Sequence, residues 1–291
     1  ASLIEDGAIS RGREYEVGGS MSAGSRLIRG AGELLRIPTI DIAEVGAGGG
    51  SIVWIDAGGV LRVGPESAGA APGPACYALG GERPTVPDAN VLLGYLNPGH
   101  LVGGGLKLDR SRAERSIDHE VARPLGLTLV QAAAGIHRIA NATMQRAIRS
   151  VSIERGRDPR DFALIAFGGS GPVHAAGLAQ DLDIARIVVP PHPGLFSSLG
   201  LLAAPVEQIY TRSVLAEAGK LDPQRAEAIL CEMEARARAD LAAEGFGAAS
   251  VELARFTDLH YRKQISELML RLPDRPLAAA DLAALGEQFH R

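Results

Sequence analysis

Aromatic residues make up only 4% of the 291 positions, and Trp54 is the single tryptophan. A core without large rings must be filled by Ala, Leu, Val and Ile, a composition that suits an α/β protein. Cysteine is nearly absent: Cys76 and Cys231 lie far apart, outside any metal-ligand spacing, which fits a reducing cytoplasm. No apolar run reaches the roughly 18 residues needed to span a bilayer, and no secretory leader is visible. With a net charge of −4 and no basic run, nucleic acid is set aside as a partner. An initiator Met is missing as well. The chain opens on ASLIEDG and stops at GEQFHR inside a helical pattern, so we expect a piece of a longer protein.

What the sequence does have is glycine, 36 of them, concentrated where strands end. Residues 1–17 read as a hairpin, with SLI running into a turn at Glu5-Asp6-Gly7 and returning through REYEV. A polar, Gly- and Ser-rich loop is expected from Gly18 to Gly32. IPTIDIAEV (37–45) reads as a strand delivering the chain to EVGAGGGS (44–51). SIVWID and VLRVG flank Ala57-Gly58-Gly59, a hairpin signal. From Pro65 to Leu96 the pattern is irregular, yet Tyr77, Val91, Leu92 and Leu93 argue for an ordered, packed loop. A polar helix follows at 111–123. A longer one starts at the capping-box signal Thr-Leu-Val-Gln (128–131) and carries Ala133, Ile136, Ala140, Met144, Ala147 and Val151 at helical spacing to about Gly156.

FALIAFGG (162–169) reads as a buried parallel strand, and ARIVVP (185–190) as a second; with the helix opening at Pro172 they make a βαβ unit. An apolar helix is expected at 195–204, a charged one at 222–244, then a mixed strand, LMLRL and a last helix.

Two glycine loops carry the functional signal. In FGGSGPVHA (167–175) a strand ends, Gly168, Gly169, Ser170 and Gly171 let the backbone approach a ligand, and a helix N-terminus opens beyond. A tight strand-to-helix turn needing small residues for packing accounts for it equally well. In EVGAGGGS, Gly46, Gly48, Gly49, Gly50 and Ser51 offer N–H groups to a phosphate or oxyanion, and the nearby carboxylates Asp41 and Glu44 suit Mg²⁺ or an oriented water; surface charges at a strand end are the plain alternative. Neither loop has the G-x-x-x-x-G-K-[ST] pattern or a full G-x-G-x-x-G.

Asp88 and Asn90 read either as a turn-forming pair or as metal and substrate contacts. Glu66 and Ser67 either reach a substrate or stabilise their loop. His174 and Asn141 read first as satisfied interior groups, and Cys76 as a small buried thiol. His100, His119 and His137 combine into no metal-ligand pattern.

Taken in order, DIAEVGAGGGSIVWID (41–56), LRVGPESAGAAPGPACYALGG (61–81), PTVPDANVLLGYL (84–96), SIERGRDPRDFALIAFGGSGPVHA (152–175) and VVPPHPGLFSSLGLL (188–202) resemble the hydantoinase A / 5-oxoprolinase family. The resemblance implies an α/β actin-like ATPase fold of the sugar kinase and heat-shock class, here partial, with a mixed sheet and packed helices. It implies a catalytic region at 1–215, truncated at its start, and the beginning of a C-terminal α+β region at 216–291. ATP with Mg²⁺ would phosphorylate the carbonyl oxygen of a cyclic amide, in the cytoplasm, beside a hydantoinase B-type subunit in a homo- or hetero-oligomer. By this resemblance Asp41, Glu44, Asp88 and Asn90 are catalytic, with Asp41, Glu44 and Asp88 on the metal. The glycine loops hold nucleotide, and Glu66 and Ser67 meet substrate. A subunit of an ATP-dependent ketone carboxylase of the acetone or acetophenone type is the alternative, and a non-catalytic nucleotide-binding subunit is another. Two departures stand out: Ala43 and Glu44 where relatives have histidine and threonine, and Pro87 where they have threonine.

Overall fold

The computed structural model of the protein describes residues 1–9, 11–12, 15–17, 33–35, 39–99, 104–217, 220–264 and 267–290. They divide into two units, Ala1–Ala203 and Ala204–Arg291. No described helix is long and apolar enough to cross a membrane.

The first unit opens with a tighter hairpin than the sequence suggests. β1 (Ile4–Glu5) pairs directly with β2 (Ala8–Ile9), because Asp6 and Gly7 both take positive φ, 51° and 78°, as a two-residue turn requires. β3 (Arg11–Gly12) pairs with β6 (Thr39–Ile40), and β4 (Tyr15–Val17) with β5 (Glu33–Leu35). REYEV is therefore not the return strand of the first turn. The glycine-serine loop expected between Gly18 and Gly32, and His100, lie outside the described residues. Of the strand expected over 37–45, residues 39–40 form β6 and 41–45 are not strand, while 37–38 lie outside the described residues. Beyond β6, Ala43 exchanges two backbone hydrogen bonds with Ala1, at 2.8 and 2.7 Å.

β7 (Ser51–Ile55) and β8 (Leu61–Ser67) form the antiparallel hairpin expected around Ala57-Gly58-Gly59. Asp56 Oδ1 accepts from the Gly58 and Val60 amides at 3.0 and 2.9 Å, closing the turn. Within the stretch read as irregular, α1 (Val86–Leu92) is wholly buried. A loop packed as tightly as the sequence requires has here become a helix.

α2 (Arg110–Ile117) is capped by Asp109, passes through a π turn at Asp118–Ala122 and ends in α3 (Arg123–Leu125). α4 (Leu129–Val151) starts where expected: Thr128 Oγ1 accepts from the Gln131 amide while Gln131 Oε1 accepts from the Thr128 amide. Of the predicted stripe, Ala133, Ile136, Ala140, Ala147 and Val151 are buried. Val53, Val86, Val91, Ile117, Val121 and Ile136 gather with the α4 alanines into the main core. Each fully buried large aliphatic side chain contributes about 1.5–3 kcal/mol.

β9 (Ala163–Ile165), α5 (Gly171–Asp181) and β10 (Arg186–Val188) form the expected βαβ unit, with the strands parallel. The strands are not buried, however. Ile165, Phe167, Ile187 and Val188 are 41–48% exposed, because no further strand flanks the pair among the described residues. The mixed sheet of the expectation is here a set of two-stranded sheets. α6 (Phe196–Ala203) closes the unit.

In the second unit, α7 (Pro223–Ala243) is capped by Asp222, β11 (Phe256–Leu259) pairs antiparallel with β12 (Leu268–Arg271), and α8 (Ala279–Phe289) follows. Leu272, Leu282 and Leu285 form its core with Leu221, Leu230 and Leu270.

Candidate functional site

The glycine loop before β7 is held by its own last residue. Buried Ser51 accepts from the Gly48 amide at 2.9 Å, and its own amide donates to Gly48 O at 3.1 Å. Ser51 is therefore the staple of the loop, not a group presented to a ligand. One nearby glycine, Gly64, is explained by neighbouring backbone. A Cβ on Gly64, which has φ +69°, would fall far inside van der Waals contact with Gly46 O. A Cβ on Gly50 would lie 2.5 Å from Ser67 Oγ. Trp54 pins this approach, its indole N–H donating to Gly64 O at 2.9 Å. Gly48 differs, since a Cβ there would meet nothing within 4 Å. The space a side chain would fill is open there, while its amide and carbonyl are both bonded to Ser51.

At the second loop, Gly168 takes φ +85° and its amide donates to Pro193 O at 2.8 Å. The turn delivers Ser170 as N-cap of α5 without a side-chain cap bond, and Pro172 occupies the first turn. Gly169 is exposed, and a Cβ there also meets nothing within 4 Å. The two loops meet. A Cβ on Gly49 would lie 3.4 Å from both Cβ and Oγ of Ser170, and 3.9 Å from Pro87 Cγ. Thus EVGAGGGS, the start of α1 and the N-terminus of α5 converge at one point, with Gly48 and Gly169 open.

Asp88 is a correction. It is fully buried, its Oδ1 accepts from the Cys76 amide at 2.7 Å, and its Oδ2 accepts from the Thr85 amide and hydroxyl at 2.8 and 2.6 Å. A carboxylate so enclosed caps α1 and ties the 74–78 turn to it. It is neither a turn-former nor a free metal ligand. Cys76 is the buried thiol expected, its pKa pushed up by burial and then by Asp88. Asp41 pairs with Arg155, Glu44 is exposed, and Glu66 pairs with Arg83 at 2.7 Å. Ser67 Oγ accepts from the Gly69 amide at 3.2 Å. Asp41, Glu44 and Asp88 therefore do not form the metal set expected of them. Among the described residues no three His, Cys, Asp or Glu side chains gather as a metal site.

Below the loops lies a polar cluster that single-residue reading misses. His137 Nδ1 donates to Asn90 Oδ1 at 2.8 Å, and His174 Nδ1 donates to Asn141 Oδ1 at 2.7 Å. The two imidazoles stack with centroids 4.7 Å apart and planes at 12°, and Tyr95 meets His137 edge-on at 5.0 Å. Burial, then the neighbouring His137, lowers the His174 pKa to about 4; burial lowers that of His137 as well. Both rings are neutral near pH 7. The sequence did hold a signal: His137 and Asn141 stand four residues apart on α4, hence on one face.

An α/β protein with two glycine turns abutting at a helix N-terminus is the class that this geometry defines. Residues 1–210 match the Hydantoinase/oxoprolinase family, and the chain belongs to it. It is 43% identical over 278 residues to an uncharacterized protein of Methanocaldococcus jannaschii, a match covering 96% of this chain and 39% of that protein. To the caprolactamase subunit alpha of Pseudomonas jessenii it is 39% identical, covering 88% of this chain and 37% of that one. Among solved structures it is similar to nucleotide-free acetone carboxylase, with TM-score 0.71 and 31% identity over 88% of this chain and 38% of that one. The ATP-dependent caprolactamase of Pseudomonas jessenii matches with TM-score 0.66 and 35% identity, over 92% of this chain and 39% of that one. The chain thus spans under two-fifths of the length of these relatives.

Proposed function

We propose that the chain is the nucleotide-handling part of an ATP-dependent hydrolase that opens a cyclic amide, such as a hydantoin, 5-oxoproline or another lactam. The observation that carries this reading is the junction of Gly49 with Ser170, which sets two bare turns beside the N-terminus of α5. Gly49, Gly169, Ser170 and Gly171 are the residues assigned to the phosphates, through backbone N–H groups and the helix dipole, while Gly48, whose amide is held by Ser51, leaves room beside them. ATP supplies the phosphoryl group that turns a poorly electrophilic amide carbonyl into one with a good leaving group. The chain's task is to hold the reacting groups and stabilise charge. Asp41 and Glu44 are kept as carboxylates near the first loop, Asn90 as a polar group beneath it, and Glu66 and Ser67 as the far rim. No residue is assigned to Mg²⁺, because Asp41 and Asp88 are engaged with Arg155 and with the start of α1 and no three possible ligands gather among the described residues.

The proposal extends to an actin-like ATPase fold for the whole protein, with a catalytic region over 1–215 and a further region from 216. It extends also to a cytoplasmic location and a hydantoinase B-type partner subunit. The name caprolactamase subunit alpha, carried by one relative, supports the cyclic-amide substrate. A ketone carboxylase subunit is the second reading, favoured by the similarity to acetone carboxylase.

ATP turnover by the full-length protein, alone and with the B-type subunit, is to be measured against a panel of lactams, hydantoins and ketones. Stimulation by a cyclic amide, abolished in Gly169→Val, is the expected result. Stimulation by ketones alone selects the second reading. Nucleotide binding without turnover against any of them points to a non-catalytic subunit, and no nucleotide binding at all removes the site.

A further inference from the structure

Among the described residues, the two buried side-chain polar atoms without partners belong to residues that both contact His137. Asn90 and His174 are 1% and 0% exposed, yet Asn90 Nδ2 and His174 Nε2 have no hydrogen-bond partner among the described residues. Leaving a buried donor or acceptor unsatisfied costs its full desolvation. Two such atoms in one cluster call for a common cause.

Their partners fix what each orphan offers. Because Asn141 Oδ1 accepts from His174 Nδ1, the ring proton sits on Nδ1 and Nε2 presents a lone pair. Because Asn90 Oδ1 accepts from His137, the Asn90 carboxamide turns its N–H₂ away from that ring. One orphan is thus an acceptor and the other a donor. Both side chains converge on His137, one bonded to its edge and the other stacked 4.7 Å from its face. The location also has meaning. Pro87 and Asn90 are one turn apart on α1, and Ser170 and His174 one turn apart at the start of α5. Gly49 lies against Pro87 and Ser170, so the cluster stands one turn inward of the loop junction.

We infer that Asn90 and His174 are positioning residues that act through one enclosed water-sized ligand, which accepts from Asn90 Nδ2 and donates to His174 Nε2. A buried water needs two or more polar partners to be retained, and these two side chains supply a donor and an acceptor. The bridge locks α1 to α5 and so sets the spacing of Gly49 from Ser170. His137 and Asn141 orient its two anchors. Its functional consequence rests on the nucleotide reading above, whereas its existence does not.

Two arms test it. In the full-length protein, a high-resolution structure with ¹⁵N-detected imidazole spectra is expected to show an ordered water between the two atoms and an unprotonated His174 Nε2. A dry contact there, or a proton on Nε2, overturns the bridge whatever the protein binds. The second arm exploits geometry. A glutamine carboxamide reaches the place of Nε2, while an asparagine carboxamide reaches only that of Nδ1. His174→Asn is expected to raise the apparent KM for ATP about tenfold through misplacement with little change in kcat, and His174→Gln to restore it. Asn90→Asp, which keeps Oδ1 but replaces the donor, is expected to match His174→Asn. The double variant is then no worse than either single one, as for residues sharing one interaction. Equal loss in His174→Gln and His174→Asn, or additive losses in the double variant, marks an ordinary structural role and overturns the inference. Should His174→Asn fail to fold, Asn90→Asp and its non-additivity with His174→Gln decide. A full-length protein that binds no nucleotide defeats the nucleotide reading alone, and the structural arm still judges the bridge.

Discussion

A Cβ placed on Gly49 would lie 3.4 Å from both the Cβ and the Oγ of Ser170, although 121 positions separate the two residues (170 − 49). At that distance a methyl group is accommodated, whereas a branched side chain must displace Ser170 and the first turn of α5. Gly49→Ala is therefore expected to change stability by no more than ~0.5 kcal/mol. Gly49→Leu is expected to keep the fold but weaken nucleotide affinity about tenfold through misplacement of the junction. Urea denaturation and nucleotide titration of both variants in the full-length protein check this. Unchanged affinity in the leucine variant would mean that the junction touches no phosphate.

Gly64 is bound to its place by two independent constraints. Its φ of +69° disfavours any L side chain, and its Cβ would overlap Gly46 O. The left-handed conformation costs about 1–2 kcal/mol and overpacking typically another 1–3 kcal/mol. Gly64→Ala is expected to lose about 3 kcal/mol by urea denaturation, far more than Gly48→Ala, where a Cβ meets nothing within 4 Å. Comparable midpoints for the two variants would count against the packing of the loop on β8.

The contrast between these glycines marks how far the sequence could be read. Local signals were legible because both partners lie close together in the chain. Thr128 and Gln131 box the start of α4, and Asp56 closes the turn to Val60. The family resemblance and the βαβ unit were legible on contiguous motifs. The purpose of individual glycines was not, since Gly64 answers to the carbonyl of Gly46, and Gly50 faces Ser67 Oγ across the hairpin. Asp88 looked like a ligand because the Cys76 amide that it accepts from stands 12 positions upstream. Likewise His137 and Asn90 are 47 positions apart, and His174 and Asn141 33. Pairings at such separations are set by how α1, α4 and α5 cross, which no local spacing encodes.

The capping role of Asp88 has a direct consequence for stability. Replacing it by alanine leaves the amides of Cys76 and Thr85 and the Thr85 hydroxyl without their acceptor. Hydrogen bonds to a charged group contribute roughly 1.5–3 kcal/mol each, and some of this loss is relieved by entering water. Asp88→Ala is thus expected to cost about 3 kcal/mol or more, and Asp88→Asn, with a single acceptor oxygen, less. Calorimetric or chemical unfolding of the two variants settles the order. If alanine lowered turnover while leaving the unfolding midpoint in place, a chemical role for this carboxylate would return.

His174 makes the fold sensitive to mild acid. Burial, then the neighbouring His137, lowers its pKa from 6.5 to about 4, so the unfolded chain binds the proton more readily than the native one. Stability is therefore fully present above pH 6.5 and is lost as pH falls through 4, with a slope of up to about 1.4 kcal/mol per pH unit in between. His137, also lowered by burial, adds in the same direction. The carboxylate of Asp158, held near 2 by Arg160, acts in a lower window, between its ordinary value of 3.8 and 2, and does not mask the effect. Unfolding free energies of the full-length protein at pH 7, 6, 5 and 4.5 should fall more steeply than those of His174→Gln, which cannot titrate there. Parallel curves would mean that the native protein accepts this proton as easily as the unfolded one, and that His174 is not held neutral by its surroundings.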